Sequence, residues 1–248
     1  MHPVLEVQKI TVRFGGLTAV DDASLTINSG ELIGFIGPNG AGKTTLMRAI
    51  TGMVKPQEGS VFLEGKNLSG LAIHQRIRAG MALAQQIVQP LRDMTLLENV
   101  TLACGTQKTS NPFKALCVFD RREEEEKAYA LLDRVGLKDA ANSEPSKLPL
   151  GFLKRLEVAR ALALDPKLLL LDEPLAGLNQ SEAASLADLI KTLNAGGLTI
   201  LLIEHNLREV MRVCPQVYVQ DFGKSLAFGA TNEVMKRHDV IDAYMGGG

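Results

Sequence analysis

The sequence contains no tryptophan, and only 4% of its 248 residues are aromatic. Proteins that bind single-stranded nucleic acid stack the bases on several aromatic side chains, so a platform of that kind is not expected here. The chain also lacks an excess of either charge, because 27 lysines and arginines stand against 28 aspartates and glutamates. Surfaces that bind nucleic acid are usually basic. We therefore expect no nucleic-acid partner.

Cysteine is also scarce, and its positions form no recognisable framework. Cys104, Cys117 and Cys214 are scattered and include no CxxC pair, which favours a reducing compartment. The opening residues, MHPVLEVQKI, lack the basic head and apolar core of a signal peptide. No apolar run approaches the ~18 residues that a membrane-spanning helix needs. We expect a cytosolic chain whose link to any membrane comes through a partner.

Several short apolar runs have the length of buried strands. They are ELIGFI (31–36), LLLLDE (168–173) and LTILLIE (198–204), and near the start Leu5 and Val7 alternate with polar residues as in a half-exposed strand. Segments with helical periodicity separate these runs. Strands that alternate with helices predict a parallel sheet with helices on its faces, so the fold class is α/β.

One helix is predicted directly after residue 45. Leu46, Ile50 and Met53 recur at helical spacing on one face, and Gly52 is a suitable residue to end the helix. This helix would pack its apolar face against the sheet.

Residues 86–164 differ from the sequence on either side. They show helical periodicity and no strong strand signal, which predicts a helical subdomain inserted into an α/β core formed by residues 1–85 and 165–248. The acidic run REEEE (122–126) lies in this stretch. We interpret it as the solvated face of a surface helix.

The run GPNGAGKTT (37–45) fits the phosphate-binding pattern G-x-x-x-x-G-K-[ST] at every fixed position. It follows a predicted strand and precedes a predicted helix, so backbone N–H groups and the helix N-terminus would surround the phosphates. Lys43 is expected to reach the β and γ phosphates, Thr44 to bind Mg²⁺, and Thr45 to donate to the α phosphate. The predicted nucleotide-binding residues of this loop are Gly37, Pro38, Asn39, Gly40, Ala41, Gly42, Lys43, Thr44 and Thr45.

Two carboxylates follow the apolar run that ends at residue 171. Asp172 is expected at the strand end, where a Mg²⁺ shell needs a carboxylate. Glu173 is expected to act as the general base that polarises the attacking water. An acidic pair at a strand end also occurs as the N-cap of a following helix. Pro174 and the run AGLN (176–179) favour the catalytic interpretation.

Two further polar residues are candidates for the same site. His205 follows the third buried strand, and parallel sheets place ligands at the carboxyl ends of their strands, so it is predicted to bind the γ phosphate and orient the water. A structural histidine is the alternative. Gln86, with Gln85 as its neighbour, begins the helical insertion and is predicted to sense the γ phosphate and Mg²⁺.

Taken together and in this order, these motifs resemble the ATP-binding subunits of ABC transporters over essentially the whole chain. The resemblance implies a P-loop NTPase core with a parallel sheet, an N-terminal antiparallel β part and an inserted helical subdomain. It implies ATP hydrolysis with ATP and Mg²⁺, and it assigns Phe14 to stacking on adenine. An ordinary core position is the alternative for Phe14.

The finer resemblance is to subunits that serve branched-chain amino acid importers. It lies in RFGGLTAVDDASLTI, MTLLENV, RLEVARAL, AGLN, LLIEHN and VIDAYMG. It implies transport of branched-chain amino acids or a related small polar or carboxylic solute, at the cytoplasmic face of a membrane. The implied partners are a second ABC ATPase subunit, two membrane-spanning permease subunits and, indirectly, an extracytoplasmic solute-binding protein.

The contact with a membrane subunit is expected in the stretch that follows Gln86. Ile87, Val88, Leu91 and Met94 would lie near a surface that could grip such a subunit. Core positions of the helical subdomain are the alternative for these four residues.

One motif departs from the family pattern. Where the family has the signature LSGGQ, this chain has LPLGF (148–152). Pro149 removes a hydroxyl and a backbone donor, Leu150 adds bulk, and only Gly151 remains of the glycine pair. In a head-to-tail dimer this segment would face the partner's ATP, so we expect an asymmetric heterodimer whose partner has an intact signature. A homodimer remains possible.

Three alternatives stay open at this level. A P-loop phosphotransferase would need an arginine-rich lid over its acceptor. A non-transport ABC ATPase would share every ATP-binding residue and differ only in its partners. A nucleotide-binding pseudo-enzyme is disfavoured by Glu173, because a protein without hydrolytic activity has no need of that carboxylate.

Overall fold

A computed structural model of the chain describes residues 3–85, 88–105 and 121–245. The strands are β1 (Pro3–Phe14), β2 (Leu17–Asn28), β3 (Leu32–Ile36), β4 (Glu58–Leu63), β5 (Lys66–Asn67), β6 (Met81–Ala84), β7 (Leu168–Asp172), β8 (Thr199–Ile203), β9 (Gln216–Asp221) and β10 (Lys224–Ala230). The helices are α1 (Lys43–Thr51), α2 (Ile73–Arg78), α3 (Leu96–Gly105), α4 (Arg122–Arg134), α5 (Leu150–Leu162), α6 (Gln180–Ala195), α7 (Leu207–Val213), α8 (Thr231–Val234) and α9 (His238–Met245).

The larger sheet has the strand order β10-β9-β3-β8-β7-β6. Its neighbours pair in parallel except at one edge, where β10 is antiparallel to β9. Phe35 of β3 lies beside Ile203 of β8, which in turn lies beside Asp172 of β7. The carboxyl ends of three central strands therefore meet at one edge of the sheet, which confirms the predicted α/β class.

The smaller sheet is antiparallel and has the order β2-β1-β4-β5. Leu5 of β1 pairs with Ile27 of β2 on one side and with Leu63 of β4 on the other. All three side chains are buried. The N-terminal antiparallel part implied by the family resemblance is thus present, and its apolar face supplies a second layer.

The core has two parts, one on each face of the larger sheet. Ile33 and Phe35 of β3 point toward the smaller sheet and α1, whereas Leu32 and Ile36 point toward the helices on the other face. Successive side chains of a strand alternate between its faces, so a strand buried on both sides needs a continuous apolar run. Burying each such side chain stabilises the fold by about 1.5–3 kcal/mol.

The described part of residues 86–164 forms helices and turns and no strand. Strand β6 ends at Ala84 and strand β7 begins at Leu168, so this helical stretch connects two adjacent strands of the same sheet. Its division from the core at residues 85 and 165 stays a prediction. None of the described helices is both long and apolar enough to cross a bilayer.

Two details differ from the sequence-based expectation. Met53 does not lie on the apolar face of α1, because the helix ends at Thr51 and Gly52 caps it with φ 83°. Its side chain is 38% exposed. The short strand β6 and the hairpin of β9 and β10 were not predicted, since their runs of apolar residues are brief.

Candidate functional site

The P-loop, residues 37–45, joins the end of β3 to the first turn of α1. Gly42 is the N-cap of α1 with φ 95°, and no described side chain caps the helix or places an acidic group in its first turn. The N–H groups of that turn are therefore available to an anion. The helix dipole adds partial positive charge at the same place.

Two of the loop glycines are required by their surroundings as well as by their backbone angles. A Cβ at Gly37 would lie 2.1 Å from the carbonyl oxygen of Gln220, and a Cβ at Gly42 would lie 2.2 Å from that of Ala19. Gly40 has φ 77° but open space around it. The loop is thus packed tightly against β2 and β9, which fixes the direction of its N–H groups.

Lys43 is almost fully buried at the start of α1. Its ammonium group donates hydrogen bonds to the carbonyl oxygens of Gly37, at 2.7 Å, and Pro38, at 2.8 Å. Burial lowers the pKa of Lys43 below its usual value, although Glu173 and Asp172 oppose the shift. The ammonium is held over the loop, at the position from which a phosphate oxygen could replace the carbonyls.

Asp172 ends β7 and has an unusual carboxylate. Its Oδ1 atom is buried and has no hydrogen-bond partner among the described residues. Burial is the main cause that raises the pKa of Asp172, and Glu173 adds to it, while Arg48, His205 and Lys154 act in the opposite direction. An unsatisfied buried carboxylate oxygen beside a phosphate loop is suited to a hard cation.

Glu173 and His205 lie at the ends of neighbouring strands and contact each other. The Nε2 atom of His205 hydrogen-bonds to Oε1 of Glu173. Glu173 has φ 48°, a conformation that non-glycine residues rarely adopt and that is frequent at functional sites. The strand pairing places both side chains at the P-loop, as the sequence analysis predicted from their strand ends.

Lys43, Glu173 and His205 line one cavity of about 490 Å³. The phosphate-loop side of the wall carries Lys43, Thr44, Glu173 and His205. The full wall consists of Phe14, Leu17, Thr18, Ala19, Asn39, Gly40, Ala41, Gly42, Lys43, Thr44, Thr45, Glu173, His205, Phe222 and Gly223. The cavity has the size of a small-molecule site.

Some predicted residues take other positions. Gly37, Pro38 and Asp172 do not form part of the described cavity wall. Gly37 and Pro38 instead contribute the carbonyls that hold Lys43. Gln86 lies outside the described residues, so its predicted role stays a prediction.

Two buried charged residues, Glu204 and Lys154, contact the backbone of His205 and Glu173, and the sequence analysis gave them no role. Glu204 accepts hydrogen bonds from the N–H groups of Leu175, at 2.7 Å, and His205, at 3.2 Å. Lys154 of α5 is buried, and its ammonium donates to the carbonyl oxygen of Glu173 at 3.4 Å. The position of Glu204 at the end of an apolar run could have identified it from the sequence. The burial of Lys154 could not be predicted in this way, because it depends on how α5 packs.

The LPLGF segment lies apart from the cavity. Pro149 is the N-cap of α5 with φ −60° and ψ 157°, and the helix forms normally after it. Leu150 is 40% exposed and Phe152 is 37% exposed. None of the five residues belongs to the described cavity wall.

Comparison with known proteins agrees with this arrangement. The sequence model of the family described as ABC transporter matches residues 20–176. The high-affinity branched-chain amino acid transport ATP-binding protein LivG of Salmonella typhimurium is 41% identical over 251 residues, covering 99% of this chain and 98% of that protein. The corresponding protein BraF of Pseudomonas aeruginosa is 38% identical over 251 residues, with the same 99% and 98% coverage.

A solved structure is also similar to this chain. It is the ADP conformation of an ATP-binding cassette of an ABC transporter, and it superposes with a TM-score of 0.88 and 31% identity. The match covers 99% of this chain and 100% of that chain. The phosphate loop, the paired Glu173 and His205 and the full-length likeness lead to one conclusion. The chain belongs to the ABC transporter family, as one of its ATP-binding, ATP-hydrolysing subunits.

Proposed function

We propose that this chain energises an importer for branched-chain amino acids or a related small polar or carboxylic solute. LivG and BraF, which carry branched-chain amino acid transport in their names, support this substrate class over nearly the full length of the chain. The observation that carries the energising role is the contact between Glu173 and His205 in the wall of the P-loop cavity. This contact supports Glu173 as the base and His205 as its orienting group, in the same cavity wall as Lys43.

The reaction at this site is hydrolysis of ATP. Glu173 takes a proton from water as the water oxygen attacks the γ phosphorus, and the bond from that phosphorus to the oxygen bridging to the β phosphate breaks. ADP and inorganic phosphate leave. His205 holds the carboxylate of Glu173 and orients the water. Lys43 exchanges the carbonyls of Gly37 and Pro38 for oxygens of the β and γ phosphates.

The residues present also fit a magnesium ion. The Thr44 hydroxyl and the Asp172 carboxylate would hold it, together with Gln86 as predicted from the sequence, and it would supply charge neutralisation for the phosphates. The buried Oδ1 of Asp172 has no partner among the described residues, as expected for a metal ligand. No described group of three or more His, Cys, Asp or Glu side chains could hold a metal by itself. Phosphate oxygens would complete the shell.

A groove of about 280 Å³ is a suitable site for a membrane permease subunit. It runs between the end of α1, α2 and α5, and it contains Gln85 and Gln89, on either side of the predicted sensor Gln86. Met53 and Ile73 are exposed apolar side chains in its wall. Of the four residues that the sequence analysis assigns to this contact, Ile87 lies outside the described residues. Val88, Leu91 and Met94 do not belong to the wall of this groove, although Leu91 is 41% exposed.

The second ATPase subunit is expected to differ from this chain. An ATP bound at Lys43 would be closed by the partner's signature helix, and the LPLGF segment would close the partner's ATP. Pro149 has no N–H to donate, and Leu150 fills space next to Gly177, where an added Cβ would lie 3.0 Å from the Cδ2 atom of Leu150. We therefore place efficient hydrolysis at this chain's own site and slow hydrolysis at the partner's. A homodimer would carry the defect at both sites.

The complete assembly would hold two ATPases at the cytoplasmic face of the membrane, two permease subunits, and a solute-binding protein on the other side. The test is uptake of radiolabelled leucine by proteoliposomes that contain this chain with the permease and ATPase encoded beside it, driven by the cognate binding protein. ATP-dependent uptake is expected. ATP hydrolysis without association with any permease would instead favour a non-transport ABC ATPase.

Glu173→Gln tests the catalytic assignment in the same preparation. Removing a general base lowers turnover by about 10²–10⁴-fold, while ATP binding should persist because Lys43 and the P-loop are unchanged. Glu126→Gln, at an exposed position of α4, is the matched control and should leave turnover unchanged. Wild-type turnover in Glu173→Gln would remove Glu173 as the base.

A further inference from the structure

An exposed aromatic residue stands at the tip of the hairpin formed by β9 and β10. Phe222 lies between these strands, and 85% of it is exposed to solvent. Its φ is 44°, a conformation that bulky residues rarely adopt. Asparagine or glycine would suit this turn better. An exposed phenyl ring at an unfavourable backbone position calls for a functional explanation.

The tip of this hairpin is fixed to the nucleotide loop. The N–H of Gly223 donates to the carbonyl oxygen of Ala41 at 2.9 Å, and the carbonyl oxygen of Gly223 accepts from the N–H of Asp21 at 2.8 Å. One bond holds the turn to the P-loop and the other holds it to β2. The backbone that carries the Phe222 ring is thus anchored at the mouth of the cavity.

The cavity has two chemically different ends. Lys43, Glu173 and His205 form a charged end, whereas Phe14 and Leu17 are exposed apolar side chains in the same wall. Phe222 is a third exposed apolar side chain of this wall. Exposed apolar surface beside a polar site is typical of a ligand-binding surface. A nucleotide has the same division, with a flat apolar base and a charged phosphate chain.

We propose that Phe222 is a second base-contacting residue of the nucleotide site and acts together with Phe14. This inference rests on ATP being the nucleotide of the proposed function. The family resemblance assigns one aromatic residue, Phe14, to the base. The structure adds a second ring, on a different element of the fold, that is anchored to the P-loop itself.

Phe222 also borders a second cavity, on the side of the P-loop that faces α9. The wall of that cavity carries Asp221, Asp239 and Asp242. Three carboxylates would repel a phosphate chain, whereas the first cavity presents Lys43 and the available N–H groups of α1. The base therefore meets Phe222 from the side of the first cavity.

Calorimetric titration of the full chain with ATP and, separately, with inorganic tripolyphosphate tests the proposal. Tripolyphosphate carries the phosphate charge without a base. Replacing an aromatic residue that stacks on a base by alanine lowers affinity by about 5- to 100-fold. We expect Phe222→Ala to lose ATP affinity within this range and to bind tripolyphosphate as the wild type does.

Three further variants separate the ring from the turn. Phe222→Asn keeps a residue that tolerates positive φ and removes the ring, so it should behave like Phe222→Ala. Phe222→Tyr should retain wild-type ATP affinity. Phe228→Ala removes a 48% exposed ring of the same hairpin that is outside the cavity wall, and it should change neither affinity.

Three outcomes would overturn the proposal. Unchanged ATP affinity in Phe222→Ala would show that the ring does not touch the base. Equal losses of affinity for ATP and for tripolyphosphate would assign the effect to the turn and the P-loop. Normal ATP binding by Phe222→Asn together with weak ATP binding by Phe222→Ala would do the same. Failure of the wild-type chain to bind ATP would instead contradict the proposed function, so the two ideas fail in different ways.

Discussion

The P-loop and the LPLGF segment each lead into the first turn of a helix, and neither turn has an acidic residue, yet the two segments have different surroundings. Gly42 caps α1 with φ 95°, and neighbouring backbone packs closely around it. Pro149 caps α5 in an extended conformation, and two of the next residues, Leu150 and Phe152, are exposed. One helix N-terminus is built into a cavity of its own chain. The other faces outward.

The two helix N-termini therefore differ in the groups that surround them. A helix N-terminus attracts anions through its N–H groups, but it becomes a binding site only when other groups surround it. The chain supplies those groups for α1 from β2, β7, β8 and β9. None of the four cavities found in the described part of the chain is lined by a residue of the LPLGF segment, so we expect any ligand of that segment to come with another polypeptide. Three sets of substitutions test this contrast, beginning with the largest expected effect.

The first prediction compares one glycine from each region. Gly42→Ala would place a Cβ 2.2 Å from the Ala19 carbonyl oxygen at a positive φ, so the loop must move. We expect ATP affinity to fall by more than about 100-fold, since the loss of two well-placed phosphate contacts of roughly 1.5 kcal/mol each has that effect.

Gly151→Ala is the matched control in the LPLGF segment. Its Cβ would lie 3.5 Å from the nearest atom, an Oε1 of Glu182, at ordinary contact distance. ATP affinity and thermal stability of the isolated chain should match the wild type. Calorimetry and thermal unfolding are the measurements for both variants. Normal ATP binding by Gly42→Ala would contradict the claim that close packing around the P-loop distinguishes it from the LPLGF segment.

The second prediction restores the family signature with Pro149→Ser, Leu150→Gly and Phe152→Gln together. In a heterodimer in which Glu173→Gln blocks hydrolysis at this chain's own site, only the ATP bound to the partner is hydrolysed. One recovered charge-assisted hydrogen bond of about 1.5–3 kcal/mol corresponds to roughly 10- to more than 100-fold in rate. We expect steady-state ATPase of this heterodimer to rise by about that factor.

The isolated triple variant provides the control, because its own cavity lies apart from the LPLGF segment. Its ATP affinity should equal that of the unmodified chain. An unchanged ATPase rate in the heterodimer would mean that LPLGF does not limit the partner's site, and the asymmetric arrangement would then be wrong.

The smallest effect concerns the buried carboxylate of Asp172, at the end of β7. Burial raises the pKa of Asp172 in the folded chain. Below the pKa of the unfolded chain the carboxyl is protonated in both states and has no effect. As the pH rises through the unfolded and then the folded pKa, ionisation destabilises the fold, because the folded state binds the proton more tightly.

Asp172→Asn removes this destabilisation and should raise the melting temperature of the nucleotide-free chain at neutral pH. At this chain length about 1 kcal/mol corresponds to roughly 2–4 °C. The gain should shrink as the pH is lowered toward the pKa of an unfolded aspartate, near 3.9. Thermal unfolding between acid and neutral pH measures it, and a variant less stable than the wild type at neutral pH would contradict the prediction.

Much of the nucleotide site could be predicted because it depends on short-range patterns. The P-loop pattern and the polar residues after apolar runs placed Lys43, Glu173 and His205 at one sheet edge, and the structure brings them into one cavity. Met53 was wrongly placed on α1 because Gly52 ends the helix earlier than the periodicity suggested. Lys154 was not assigned to the site, because helical spacing does not reveal that a lysine is buried against a distant strand end.

Residue type and spacing along the chain were enough to predict the parallel sheet and to locate the phosphate loop, and the roles of the loop side chains stay predictions. The long-range neighbours of the loop became visible only in the folded chain. Gln220 and Ala19 crowd its glycines, Phe222 joins Phe14 at the mouth of the cavity, and LPLGF stays outside it. The reason is that such contacts are set by strand order and register, which join residues that lie far apart in the chain.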